Sequence, residues 1–297
     1  MNELETRQLR FFVAVAEELH FGRAAEQLGM AQPPLSRAIR QLERQLGVLL
    51  LNRTTRQVTL TPAGKILLQD ARTALDAISA AGRRARHAGE CEPRLRLALK
   101  SDIDGGLLPR ILDAYAGEQA ALPVELVLGR AGEQAQAVRD GRADAALLLA
   151  PGDDRALDYE PLLTEPFLIA VASGDPLAAR DSLRLADLAG RILPDGSPAD
   201  RGPVLDQHGS VAPATSTPQA ASDLSQILRL IELGSIVCFL PASVVRRYPR
   251  PEIAYRPVED APQATLTVAW PRNSRSAATA TFVRTATTIA ASASAAV

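Results

Sequence analysis

Apolar residues fall at helical intervals through the first part of the chain. Residues 6–20 carry Leu9, Phe12, Val13, Ala16 and Leu19 at three- and four-residue steps, the spacing of one helix face. Residues 21–30 repeat the signal with Ala24, Ala25 and Leu28, and Gly29 supplies a stop. Residues 31–47 then set Leu35, Ile39, Leu42 and Leu46 on one stripe, with Arg37, Arg40 and Arg44 off it. Gln32, Pro33 and Pro34 open this third helix, since a first helical turn has no use for the N–H that proline lacks. Two β-prone runs, 49–51 and 57–60, flank a polar turn at 52–56 and predict a hairpin. Thr61 is placed to cap a long helix with Pro62 at its first position, running to about Ala85. Along that helix Leu67, Ala71, Ala74, Ile78, Ala81 and Ala85 alternate steps of four and three, the seam of a two-stranded coiled coil.

The pattern changes after a break at residues 90–93. Strand runs at 94–99, 124–128 and 143–149 alternate with helical runs at 106–118 and 132–140. This βαβαβ order predicts a mainly parallel sheet with helices on its faces. Further strands are expected at 159–163, 166–172, 191–193, 236–240 and 265–269. Helices are expected at 185–189, 223–234, 242–247 and 276–291, with a frayed end at 292–297.

The chemistry of the first part is polar and basic at one point. Gln32, Pro33, Pro34, Ser36 and Arg37 cluster at the start of the third helix, above its apolar back. Such a tip suits the major groove of DNA. A helix, a short turn and that helix make a helix-turn-helix, and the hairpin behind it forms a wing. Arg53 and Arg56 near the wing tip are placed to reach phosphates or a minor groove.

Residues 9–64 resemble the N-terminal DNA-binding domain of the LysR-type transcriptional regulators. The run A-Q-P-P-L-S, the helix end L-E-x-x-L-G and the wing-to-helix joint V-x-L-T-P-A-G carry the likeness. Looser matches follow in GLLPRIL, GRADAALL, LIAVASGDPLA and IELGSIVCFLPAS. The resemblance implies a winged helix-turn-helix at 1–61 and a linker helix at 62–88 that pairs two copies. It further implies an α/β effector domain of two lobes, similar to periplasmic binding proteins. Lobe I is expected at 93–163 with 265–297, and lobe II at 164–264, with crossovers at 163–167 and near Thr265.

In α/β lobes a ligand lies beyond the strand ends, where helix N-termini offer free N–H groups. That selects Ser101 and Asp102 after the first strand, Arg130 after the second, Pro194 and Ser197 in a polar loop, and Ser222 at a helix start. Lys100 and Asp102 are also close enough in sequence to pair with each other. Small organic acids, aromatic ones included, are the effectors that the resemblance implies.

The net charge of −1 hides an asymmetry. Residues 1–90 hold 13 Lys and Arg against 9 Asp and Glu, and the rest holds 20 against 25. Cations concentrated at the DNA-binding end agree with phosphate contact. Cys91 and Cys238 are too few for a disulfide framework, and His20, His87 and His208 form no metal-ligand spacing. No phosphate-binding glycine loop or nucleophile elbow is present, so neither an enzyme nor a cofactor is expected. A polar N-terminus without a signal-peptide core points to a cytoplasmic protein with no membrane partner. The expected partners are a double-stranded DNA operator, a small-molecule effector and further copies of the chain in a homodimer or homotetramer. RNA polymerase is a further possible partner. The alternative function is a two-lobed solute-binding protein with no DNA role.

Overall fold

The computed structural model describes residues 4–54, 57–130, 132–149, 156–203 and 223–294. Two compact units divide the chain, Met1–Arg86 and His87–Val297.

The first unit is built from α1 (Thr6–Glu18), α2 (Phe21–Gln27), α3 (Gln32–Leu46), β1 (Leu51–Arg53), β2 (Val58–Leu60) and α4 (Pro62–His87). Phe12 and Val15 of α1, Ala24 of α2 and Leu35, Ile39 and Leu42 of α3 meet in one core. Burying each of the large side chains contributes about 1.5–3 kcal/mol. His20 caps α2, its Nδ1 accepting from the N–H groups of Gly22 and Arg23 at 3.1 and 3.2 Å. The antiparallel β1–β2 pair forms the wing, with Leu51 opposite Leu60. Thr61 caps α4 as its sequence position suggests: the Gly64 N–H donates to Thr61 Oγ1, which itself donates to the Leu49 carbonyl. A side chain at residue 64 would begin 2.1 Å from the Leu50 carbonyl oxygen, so only glycine permits this joint.

The second unit holds β3 (Leu95–Leu99), α5 (Leu108–Ala116), β4 (Val124–Leu128), α6 (Glu133–Arg139), β5 (Ala145–Leu149) and β6 (Leu157–Ala172). After these come α7 (Leu224–Glu232), β7 (Cys238–Pro241), α8 (Ala242–Arg247), β8 (Ile253–Pro257), β9 (Gln263–Pro271) and α9 (Ala277–Ser294). The strand order is β4-β3-β5-β9-β6-β7, with β8 on the other edge of β6. Alternation along β3 shows how the layers form. Leu95, Leu97 and Leu99 face α5 and α9, where Tyr115 meets Phe282 edge to face at 5.4 Å. Ala98 points to the other face, packed with Ala135 and Val138 of α6. The same alternation divides β6 past its midpoint. Phe167, Ile169 and Val171 pack with Leu183, Phe239 and Val258, while Ala170 packs with α7 and α8.

Five expectations are corrected. The sheet is mixed: β3 is parallel to β4 and β5, but β5–β9, β6–β7, β6–β8 and β6–β9 are antiparallel. The expected strands 159–163 and 166–172 are one strand, kinked between Pro161 and Leu163 where the register with β9 shifts. The expected strand at 191–193 is a single bridge, Ile192 to Pro198. A strand at Ile253–Pro257 was not expected at all, and α9 runs past Ala291 to Ser294. The antiparallel pairing follows from β6 and β9, which run side by side from Leu157–Pro271 to Pro166–Gln263. Beyond Pro166, β6 exchanges β9 for β7 and β8.

Candidate DNA interface and effector cleft

The third helix presents its start to solvent. Ala31 ahead of it is extended, and Gln32 and Pro33 form the first helical positions. Gln32, Pro33, Arg37, Arg40, Gln41 and Arg44 are exposed, whereas Pro34 and Ser36 are half-buried. Arg37, Arg40 and Arg44 lie at three- and four-residue steps and so share a face. Among the described residues none of the three has a hydrogen-bonding or ionic partner. A groove of ≈420 Å³ lined by Glu5, Arg7, Phe11, Pro34, Arg37 and Gln41 separates the start of α1 from this face. Three unpaired guanidinium groups beside a polar helix tip can donate to phosphate oxygens or to guanine edges.

Arg53 does not stand free at the wing tip. Its guanidinium donates to Glu43 Oε2 at 2.7 Å and lies 5.0 Å from the centre of the Phe21 ring. Glu43 is itself buried on α3, and its Oε1 accepts from the N–H groups of Leu50 and Leu51 at 3.0 and 3.2 Å. One carboxylate thus holds the first wing strand against the third helix. Sequence reasoning missed this role, although Glu43 follows Leu42 on the buried side of the helix, one turn after Ile39. A charge on an apolar stripe signals an internal partner. Arg56 lies outside the described residues.

In the second unit the turn after β3 is dense with charge. Lys100 and Asp102 form an ion pair with both side chains largely buried, so Asp102 is not a free acceptor. Ser101 between them is exposed. Asp104, also buried, accepts from the Gly106 N–H at 2.9 Å and from Arg247. Arg130 is exposed in the separate loop before α6, where its N–H donates to Glu133 Oε2 at 2.8 Å. Pro194 and Ser197 belong to a closed turn: Ser197 Oγ and N–H both donate to Asp195 Oδ1. Ser222 lies outside the described residues. The neighbouring Asp223 caps α7, accepting from the Ser225 N–H at 2.7 Å. That hydrogen bond is the main cause holding the Asp223 carboxyl below its ordinary range, with Lys100 adding a smaller attraction.

Cys238 marks where these groups converge. Burial pushes its thiol up to about 12, Lys100 opposes that, and Asp102 and Asp195 add to it. Lys100, Asp102 and Asp195 thus act on Cys238, Lys100 acts also on Asp223, and Ser197 hydrogen-bonds to Asp195, which gathers these groups in one region of the second unit. Such a region can bind a small polar molecule, but the thiol stays protonated and supplies no nucleophile at neutral pH. No group of three or more metal-ligating side chains occurs among the described residues.

A winged helix-turn-helix with an unpaired basic helix tip, followed by an α/β unit with a cluster of buried charges, defines a DNA-binding regulator with a separate sensing domain. The chain belongs to the LysR family of bacterial regulators. Residues 6–65 match the family model described as "Bacterial regulatory helix-turn-helix protein, lysR family", and residues 88–290 match "LysR substrate binding domain". The Hca operon transcriptional activator HcaR of Escherichia coli K12 is 31% identical over 94% of this chain and 96% of its own. The regulator AlsR of Bacillus subtilis 168 is 32% identical over 90% and 89%. The solved structure of full-length BenM is 28% identical, covers 98% of both chains and gives a TM-score of 0.52. Members bind operator DNA and small effectors, assemble as oligomers and are not enzymes. No helix among the described residues is long and apolar enough to cross a membrane.

Proposed function

We propose that this chain reads its operator with the start of α3 and changes that binding when a small molecule enters the second unit. Gln32, Pro33, Pro34, Ser36 and Arg37 are the readers, and Arg40, Arg44 and Arg56 grip phosphates. Arg53 positions the wing through Glu43. The observation that carries this reading is the set of unpaired, exposed arginines on one face of α3. The linker helix supports a homodimer or a homotetramer, since Ile78, Ala81 and Ala85 of its apolar seam are exposed on the single chain. A symmetric pair of readers suits an operator with two half-sites. The second unit is read as lobes 93–163 with 265–297 and 164–264, joined where β6 changes partners. A regulator of this kind works in the cytoplasm, where its DNA lies.

For the effector we propose a small organic acid, aromatic acids included. Lys100, Ser101 and the N–H groups at the start of α7 are its donors. Because Lys100 is tied to Asp102, an acid must share or displace that pair. A titration of the purified chain with the duplex upstream of its own gene tests the DNA reading. Tight binding there and weak binding to a scrambled duplex is expected, and equal binding to both rejects sequence specificity. A thermal-shift series with small carboxylates tests the effector class: stabilisation should grow with concentration for at least one. A flat response to all of them, with a rise for amines instead, rejects the acid.

A further inference from the structure

One contact in the second unit joins elements that belong to different sheet neighbourhoods. Arg247 ends α8, which follows β7 beside the far half of β6. Its Nη1 donates to both carboxylate oxygens of Asp104, at 3.0 and 2.9 Å, across 143 residues of sequence. Asp104 sits in the turn after β3, on the near half of the unit. The Asp104 side chain is 5% exposed and that of Arg247 45%. The cation thus reaches in from the surface to neutralise a carboxylate that water barely touches. Left alone, that carboxylate is a buried charge, so the pair is held by the cost of parting it.

The other end of α8 is also tied. Glu165, where β6 passes from one half to the other, accepts from the Ser243 N–H at 2.7 Å and from its hydroxyl, with Arg246 at 3.6 Å. The turn that carries Asp104 rests on the same crossing. A side chain at residue 105 would meet Leu266 at 2.9 Å and Leu163 at 3.0 Å. Gly105 adopts φ +62, so any other residue there is strained by conformation and must also push the two leucine side chains aside. The helix α8 is therefore a short strut, pinned to the crossing strands at its start and to the first half at its end.

We propose that the Asp104–Arg247 pair is a latch that fixes the spacing of the two halves of the second unit. Asp104 lies in the same turn as Lys100 and Asp102, so a ligand that disturbs that pair acts on the element that carries the latch. This link to a ligand rests on the effector reading above; the latch itself needs only the fold. Hinged two-part domains close and open by small residue sets of this kind.

Spin-label distances between the halves test the latch on the full chain without any ligand. Labels are placed at Asp113→Cys on α5 and Ser235→Cys after α7, both exposed positions, in a Cys91→Ser background. Excess unlabelled chain suppresses distances between copies. The expected result is one narrow distance population for the parent and its loss in Arg247→Gln. Asp104→Asn should match Arg247→Gln, because its amide oxygen still accepts from Gly106 while the charge is gone. The double variant should show no further change. A population that stays narrow in Arg247→Gln overturns the latch, as does a double variant whose effects add. Arg247 is half exposed, so Arg247→Gln tests the proposal even where Asp104→Asn fails to fold. A lost latch with intact effector response rejects only the ligand link.

Discussion

The two units handle charge in opposite ways. On the outer face of α3, Arg37, Arg40 and Arg44 are exposed and have no partner among the described residues. Around the turn after β3, Lys100 is paired with Asp102 and Arg247 with Asp104, and the acids are buried. An unpaired surface cation costs little in water and keeps its full charge for an outside anion, which the proposed function takes to be DNA. A buried pair is already satisfied, so a ligand gains from it only by exchanging one partner for another. Under the proposed function, the first unit meets an anion as it stands and the second responds by rearranging.

Glu43→Ala should give the largest effect, because Glu43 is the exception in the first unit: a buried acid with three donors. Its loss strands two N–H groups and a half-buried guanidinium, worth about 3–5 kcal/mol. Chemical denaturation followed by a probe in the first unit measures it, and a loss below about 1 kcal/mol would show that the wing does not depend on this carboxylate. Lys100→Met applies the same logic to the second unit. It leaves Asp102 buried without its cation, and a similar loss of about 3 kcal/mol is expected there. A stabilised variant would mean that the pair is easily dispensed with.

Cys238 sharpens the contrast through pH. Its thiol ionises at about 12 in the fold against 9.0 for an ordinary thiol. The folded value is raised, so the stabilisation is full below pH 9 and is lost as pH climbs toward 12. Alkylation at pH 8 should modify exposed Cys91 rapidly and spare Cys238 until the chain is unfolded. Equal labelling of both would show that water reaches Cys238 in the folded chain. The smallest effect on stability belongs to Arg40→Ala, within about 0.5 kcal/mol of the parent. The salt slope of DNA binding should nevertheless fall by about one for Arg40→Ala, and likewise for Arg56→Ala. A slope that does not move removes that residue from the phosphate contacts.

The first unit was legible because its signals are local. The stripe Leu35, Ile39, Leu42, the prolines at the start of α3 and the Thr61 cap each act within a few residues. The second unit depends on pairing between distant strands, which periodicity does not encode. Residues 159–163 and 166–172 read as two strands, with Pro166 opening the second, yet β6 runs through both, with a register shift after Pro161 and Pro166 at the last pair with β9. The strand Ile253–Pro257 lies on the sheet edge, and only Ile253 in it is buried, so it has little alternation to read. The contacts Glu43–Arg53 and Asp104–Arg247 were invisible for the same reason: each needs the fold to bring its two ends together.

Arg37→Ala, titrated against matched and scrambled operator duplexes at one salt concentration, tests the central claim most directly. If the α3 tip reads bases, the variant loses about 1–3 kcal/mol on the matched duplex and little on the scrambled one. An equal loss on both, or none on either, would contradict it.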